Sequence, residues 1–354
     1  MEDLGYNRSL ESSRKAENLE GFDIGRVIAE HRERYIVRSP AGEFEAEITG
    51  NMRFTARNRE DFPAVGDWVA LTIYDTGPAI IHKILPRFSM IKRQAVGNQG
   101  AIQVIAANID YAFLVQAVDR DFNPNRLERY LTLCHSARVA PIIVFTKIDL
   151  ISKERISEIT DQIDARLPDI PVIAISNKTR EGYDRIIRIV EKGKTYCMLG
   201  SSGAGKSTLL NNLSGRTVMK TGSVSDSTNK GRHVTSHREL ICLENGGILI
   251  DNPGMREVGI ADTSDGLETT FDQITRLSAH CRFKNCTHTR EKGCAVLEAV
   301  EKGDIDKSSY ENYLKMEREK AHFESTVAER RNKEKIFGKI IKDYHKKDIK
   351  NRKA

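Results

Sequence analysis

Nine consecutive residues, Gly200-Ser201-Ser202-Gly203-Ala204-Gly205-Lys206-Ser207-Thr208, fit the pattern G-x-x-x-x-G-K-[ST] at every fixed position. Glycines at this spacing let the backbone curl until successive N–H groups point inward as an anion nest. A helix starting directly behind adds the positive end of its dipole. Such a nest suits phosphate, with Lys206 expected to reach β- and γ-phosphates and the Ser207 hydroxyl to ligate Mg²⁺. Asp251-Asn252-Pro253-Gly254 has the form D-x-x-G. There Asp251 can hold Mg²⁺ through water and the Gly254 N–H can meet a γ-phosphate. Thr146-Lys147-Ile148-Asp149 has the form [NT]-K-x-D. Asp149 can accept from guanine N1–H and N2–H₂, donors that adenine lacks, and a base-edge pair of this type discriminates by roughly 1–3 kcal/mol. The Lys147 stem can lie over the base. D-x-x-G and T-K-x-D are each weak alone; beside a full phosphate loop they point to GTP and GDP as ligands.

A second constellation lies downstream. Cys281-x₄-Cys286-x-His288-x₅-Cys294 offers three thiolates and one imidazole. That is a complete tetrahedral set with no open position, which suits a structural rather than a catalytic metal. Cys134, Cys197 and Cys242 sit singly in apolar stretches and are expected to be buried small side chains. With no apolar export signal among residues 1–20, the cluster points to a metal before a disulfide.

The elements that must position these groups follow from the apolar pattern. The runs before and after the phosphate loop, Tyr196–Leu199 and Leu209–Leu213, predict a buried strand and a helix. Strand-like segments at 102–105, 111–115, 141–145, 171–175 and 247–250 alternate with helical spacing such as 126–136, which predicts an α/β domain with a largely parallel sheet. Ahead of it, residues 21–98 read as about five short strands at 25–30, 34–38, 42–48, 67–71 and 79–84, and a small OB-fold barrel is the expected solution. Arg53, Arg57, Arg59, Arg87, Lys92 and Arg93, with Phe54 and Phe88 among them, suit phosphate contact and base stacking on RNA. Ordinary basic surface over core aromatics would look the same.

The chain has 354 residues, 39% of them hydrophobic and 30% charged, room for two or three domains, and no apolar run long enough to span a membrane. The expectation is a cytoplasmic protein with a mobile tail over 1–20. Between Arg330 and Lys353 eleven Lys or Arg face three acids, a local +8 against +6 for the whole chain. This suits a nucleic-acid contact, or a tail that merely solvates.

The order of the motifs is permuted: Asp149 precedes the phosphate loop, whereas most GTPases place the base-reading loop after D-x-x-G. With the barrel in front, Gly231-Arg232-His233-Val234-Thr235-Ser236-His237 in the switch I position and the Cys/His cluster behind, residues 21–320 resemble the ribosome small-subunit-dependent GTPase A family, also called YjeQ or RsgA. The resemblance implies an OB-fold β-barrel (21–98), a circularly permuted α/β P-loop GTPase domain (99–262), a helical zinc-binding domain (263–330) and a basic tail (331–354). It implies a GTPase that binds the small (30S) subunit through its rRNA and assists late maturation; a monomer is the default expectation. The alternatives are an RNA-binding nucleotide sensor and a translation-cycle GTPase acting on mature ribosomes.

Residue by residue, the resemblance assigns Mg²⁺ to Ser207, Thr235 and Asp251, with Ser236 a lesser candidate beside Thr235. Structural Zn²⁺ falls to Cys281, Cys286, His288 and Cys294. Ser176 matches the loop whose backbone meets guanine O6, with Asn177 replacing a common small residue. Thr146 stands where Asn is usual, which predicts weaker bracing of the base loop. Met255 occupies the place of the water-orienting Gln of small GTPases, and an apolar side chain cannot position water. His233 is the nearest polar candidate for that task; packing or RNA binding would be its other role. The chain leaving Gly254 runs straight into the zinc segment, so movement of the D-x-x-G loop is expected to shift that segment relative to the barrel.

Overall fold

β1 (Asp23–His31) belongs to two structures at once. It pairs antiparallel with β2 (Arg34–Ser39) from Arg26 to His31, and its first residues, Asp23–Arg26, pair with Leu71–Trp68. Those lie on β4 (Trp68–Thr72), which follows β3 (Gly42–Ile48) and precedes β5 (Ala79–Ile84). β3 runs parallel to β5 and β5 antiparallel to β4, so the order β1-β2-β3-β5-β4 returns to β1 and closes a five-stranded barrel. The alternation along Gly42–Ile48 turns Ala46 and Ile48 inward, onto Val27, Val37, Val69, Leu71 and Ile81. This computed structural model describes residues 1–31, 34–94, 102–119, 122–215, 238–251 and 264–324.

Beyond a register shift between Val27 and Ala29, the outer end of β1 pairs with a strand that the sequence reading did not anticipate. β6 (Met90–Gln94) and β7 (Ile102–Ala107) form a hairpin of their own. β8 (Tyr111–Ala117), β9 (Ala140–Thr146), β10 (Val172–Ala174) and β11 (Thr195–Leu199) follow, then β12 (Arg238–Cys242) and β13 (Ile248–Asp251). The order is β10-β9-β8-β11-β13-β12, parallel except for β12, and β12 joins β1 through Ala29↔Glu239 and Glu30↔Arg238. Barrel and α/β sheet are thus one eleven-stranded sheet. The parallel strands are covered on both faces, which is why they read as unbroken apolar runs. One face carries α3 (Pro124–Ala137) and α4 (Lys153–Arg166) through Leu127, Leu131, Ile159 and Ile163. The other carries α5 (Tyr183–Ile189) and α6 (Lys206–Ser214) through Tyr183, Ile186, Leu209 and Leu210.

The first twenty residues differ from the expected mobile tail. α1 (Arg8–Ala16) is capped by the Asn7 side chain, and Leu4, Leu10 and Leu19 are buried against Trp68 and Leu85. Arg26, on β1, is buried where this segment, the barrel and the sheet meet. It donates to Leu4 O (2.5 Å), Gly66 O (3.1 Å), Asn108 O (3.1 Å) and Thr195 Oγ1 (2.9 Å). Burial lowers its pKa to about 10, so it stays charged at neutral pH.

The C-terminal part is helical, with α7 (Ser264–Thr270), α8 (Asp272–Ser278), α9 (Ala295–Lys302) and α10 (307–324). It has its own small core of Leu267, Phe271, Ile274, Val296, Ile305 and Met316. A metal there supplements a core rather than replacing one. The unit sits on α3. A Cβ on Gly266 would fall 2.0 Å from Ser136 Oγ and 2.2 Å from Thr132 O, so α7 lies directly against α3. Arg129 makes a bidentate pair with Glu319 (2.7 and 2.8 Å), and buried Glu128 accepts from Arg166 Nε (2.7 Å), Asn312 Nδ2 (2.6 Å) and Ser309 Oγ (2.6 Å). The expected domain boundaries at 98/99, 262/263 and 330/331 lie outside the described residues, as does the basic tail.

Candidate nucleotide site and metal centre

The carboxyl ends of β8, β9, β10, β11 and β13 share one edge of the sheet, the position at which open parallel sheets bind ligands. β11 is buried throughout and delivers Gly200. Gly203 and Gly205 take φ of 79° and 90°, a left-handed region that L side chains rarely adopt, and α6 begins at Lys206. Lys206 Nζ reaches back over the loop to donate to Gly200 O (2.7 Å) and Ser201 O (2.5 Å). Ser202 and Gly203 are exposed, Ala204 is buried, and Ser207 and Thr208 are half-buried on the first turn of α6.

Asp251 ends β13 and faces Glu239 in register on β12. Burial pushes its carboxyl up to about 6; the Glu239 charge adds to the shift and the Lys206 charge opposes it. A desolvated carboxylate beside an acid, with the Ser207 hydroxyl on the neighbouring helix, is donor chemistry that suits Mg²⁺.

At the end of β9, Lys147 takes φ 62° and its Nζ pairs with Asp119 Oδ2 at 2.6 Å. Asp149 is exposed, and its Oδ1 accepts from the buried Ser176 Oγ (2.6 Å), which also accepts from the Lys178 and Thr179 amides. Thr146, in the place of the usual Asn, is fully buried and braces the site through one bond, its Oγ1 donating to Ala204 O at 2.7 Å. Asn177, to which the sequence reading gave no role, donates through Nδ2 to Gly205 O at 3.1 Å. Side-chain amide chemistry next to Ser176 was the one available signal. Thr235, His233 and Gly254, with Asn252, Met255 and Ser236, lie outside the described residues.

The four ligand atoms of Cys281, Cys286, His288 and Cys294 lie within 4.8 Å of one another. Zinc bonds of about 2.3 Å to sulfur and 2.0 Å to nitrogen imply tetrahedral edges of about 3.8 Å for S···S and about 3.5 Å for S···N. The observed Cys281 Sγ–Cys294 Sγ separation is 3.8 Å, and His288 Nδ1 lies 3.6 Å and 3.4 Å from those two sulfurs. Burial lowers the His288 pKa, favouring the neutral imidazole a metal requires. Tyr310 donates to the His288 carbonyl (2.6 Å), and Cys294 caps α9 through the Leu297 amide. The cluster therefore has the donor set and spacing to hold a metal.

The basic candidates on the barrel divide. Arg53, Arg57 and Arg59 are exposed around α2 (Gly50–Thr55) and the turn after it, and Phe54 is 90% exposed. Arg87 is instead a structural group. It chelates the fully buried Asp67 (2.7 and 2.6 Å) and donates to Glu60 O and Phe62 O. Lys92 pairs with Glu60 at 3.1 Å, and the Arg93 side chain lies outside the described residues. Phe88 is 45% exposed.

A closed barrel, a permuted sheet with the phosphate loop, the T-K-x-D loop and Asp251 at one edge, and a helical unit with a Cys₃His cluster define a circularly permuted P-loop GTPase. The sequence model of the RsgA GTPase family matches residues 84–261, and the chain belongs to that family of GTP hydrolases. An ABC transporter model also matches, over residues 184–354, a range that begins shortly before the phosphate loop. The "Small ribosomal subunit biogenesis GTPase RsgA 1" of Oceanobacillus iheyensis is 42% identical over 85% of this chain and 86% of its own length. The protein of the same description from Bacteroides thetaiotaomicron is 37% identical over 97% and 96%. Among solved structures, YjeQ from Thermotoga maritima superposes with a TM-score of 0.62 at 25% identity, covering 86% of this chain and 98% of that one. YloQ, described as a circularly permuted GTPase, gives 0.60 at 26%, covering 87% and 96%.

Proposed function

We propose that this GTP hydrolase acts in biogenesis of the small ribosomal subunit, binding the particle through rRNA and turning over faster on it. The observation that carries this reading is near full-length similarity to relatives named for that role. Ser207, Asp251 and Thr235 would hold a Mg²⁺, which would supply positive charge to the phosphates beside Lys206, while His233 would orient the attacking water. Asp149 reads guanine, Lys147 covers the base, and the phosphate-loop amides from Gly200 to Thr208, with that of Gly254, hold the phosphates. The Cys₃His set would hold a structural Zn²⁺ that ties down the helical unit, and Arg53, Arg57, Arg59 and Phe54 offer charge and a stacking face to RNA. The protein works as a cytoplasmic monomer.

Phosphate release from GTP and from ATP, with purified small or large subunits and without either, tests this reading. The expected result is GTP-selective turnover raised by small subunits only. Slow turnover indifferent to subunits would favour a nucleotide sensor, and equal ATP turnover would remove the role of Asp149.

A further inference from the structure

Two neighbouring carbonyls of the phosphate loop are each held by a donor from the base-reading side. Thr146 Oγ1, at the end of β9, donates to Ala204 O, and Asn177 Nδ2, after β10, donates to Gly205 O. The Asn177 side chain is itself fixed. Its Oδ1 accepts from the Tyr183 hydroxyl (2.5 Å), which turns Nδ2 toward Gly205; Asn212 Nδ2, from α6, donates to that hydroxyl (2.6 Å) and to Asn177 O (3.3 Å). Tyr183 is buried at the start of α5, with the Arg180 guanidinium 5.0 Å from the centre of its ring. The approach is tight: a Cβ on Gly205 would fall 2.6 Å from Asn177 Nδ2. On the other side of Asn177, Ser176 is fastened to the base-reading Asp149.

We propose that Asn177, oriented by Tyr183 and Asn212, is a positioning residue that sets the spacing between the base-reading loop and the phosphate loop. It thereby raises affinity for nucleotides that engage both loops. This inference rests on the reading of Asp149 and the phosphate loop as the two halves of one nucleotide site. GDP is a two-ended ligand, so fixing the separation of its receptors before binding removes an ordering cost that would otherwise weaken it. ADP gains nothing from that spacing, because Asp149 offers adenine no match and the phosphate loop alone holds it.

The test is direct titration of fluorescent GDP and ADP against the full chain and its variants Asn177→Ala, Asn177→Asp and Tyr183→Phe, with steady-state GTP hydrolysis alongside. Loss of one positioned hydrogen bond is expected to weaken GDP about three- to tenfold in Asn177→Ala and Tyr183→Phe. Asn177→Asp loses at least as much, since an acceptor then faces the Gly205 carbonyl. ADP affinity stays as in the parent, and the loss in hydrolysis appears in KM more than in kcat. Tyr183→Phe removes a single hydroxyl and carries the test should Asn177→Ala fail to fold. Unchanged GDP affinity in Asn177→Ala and Tyr183→Phe would overturn the proposal. So would equal losses for GDP and ADP, which would make Asn177 a support of the phosphate loop alone. A parent chain that does not prefer GDP to ADP would instead remove the underlying site reading.

Discussion

Asp251 couples the site to pH. Its carboxyl titrates near 6 in the folded chain against 3.8 for the ordinary group, so the folded state binds this proton more readily than the unfolded state does. The contribution of Asp251 to stability therefore rises as pH falls through 6 toward 4, and the ionised form is a cost at neutral pH. Thermal unfolding without nucleotide should show this slope, and Asp251→Asn should remove it. Mg²⁺ needs the carboxylate, so Mg²⁺-dependent GDP affinity should decline below about pH 6 in the parent chain. Arg87 makes a second residue-level test. Arg87→Ala strands the buried Asp67 and should cost about 3–5 kcal/mol in chemical denaturation. Charge reversal at Arg53, Arg57 and Arg59 should instead weaken binding to rRNA fragments with little change in melting temperature. The motifs fixed residue type at the loop ends. They could not reveal that Arg87 is spent on Asp67, or that Thr146 bonds Ala204, because those partners come together only across the folded chain.

At the scale of elements, the Cys₃His set and α9 depend on one another, since Cys294 is both a ligand candidate and the cap of the helix. Removing the metal with a chelator, or replacing Cys286 with Ser, should raise hydrogen exchange across 272–302 and lower the melting temperature. The barrel and the parallel sheet should keep their protection, because their cores are separate from that of the helical unit. The barrel strands were legible because period-two alternation and turn residues bound each one; 42–48 and 79–84 fall where the pattern puts them. β12 was not legible. Arg238-Glu239-Leu240-Ile241-Cys242 has only a short apolar run, is a strand because β13 and β1 flank it, and leaves Cys242 exposed where burial was expected. α1 was missed for a related reason: Leu4, Leu10 and Leu19 are sparse in a polar stretch, and their burial is decided by the surface they meet.

For the molecule as a whole, the helical unit is fastened to α3 at both ends, by α7 through the Gly266 contact and by α10 through Arg129–Glu319 and Glu128. Any movement of the helical unit that follows from the nucleotide state would have to carry α3 with it or break these contacts. Small-subunit affinity should differ between the GDP state and a state with non-hydrolysable GTP, and Arg129→Ala should narrow the difference; equal affinities in the parent chain would sink the coupling. Arg26 holds the opposite junction. Arg26→Met leaves the Leu4 and Asn108 carbonyls and the Thr195 hydroxyl without this donor, while the Gly66 carbonyl keeps Asn108 Nδ2, and should cost about 3 kcal/mol in chemical denaturation.

The strand shared by barrel and sheet also sets a timetable during synthesis. β1 to β5 can close as soon as residue 84 has left the ribosome, yet Ala29 pairs with Glu239, 210 positions later. From residue 84 to residue 239, at 5–20 residues per second, the wait is about 8–30 s, during which the outer end of β1 is an open edge on a nascent chain.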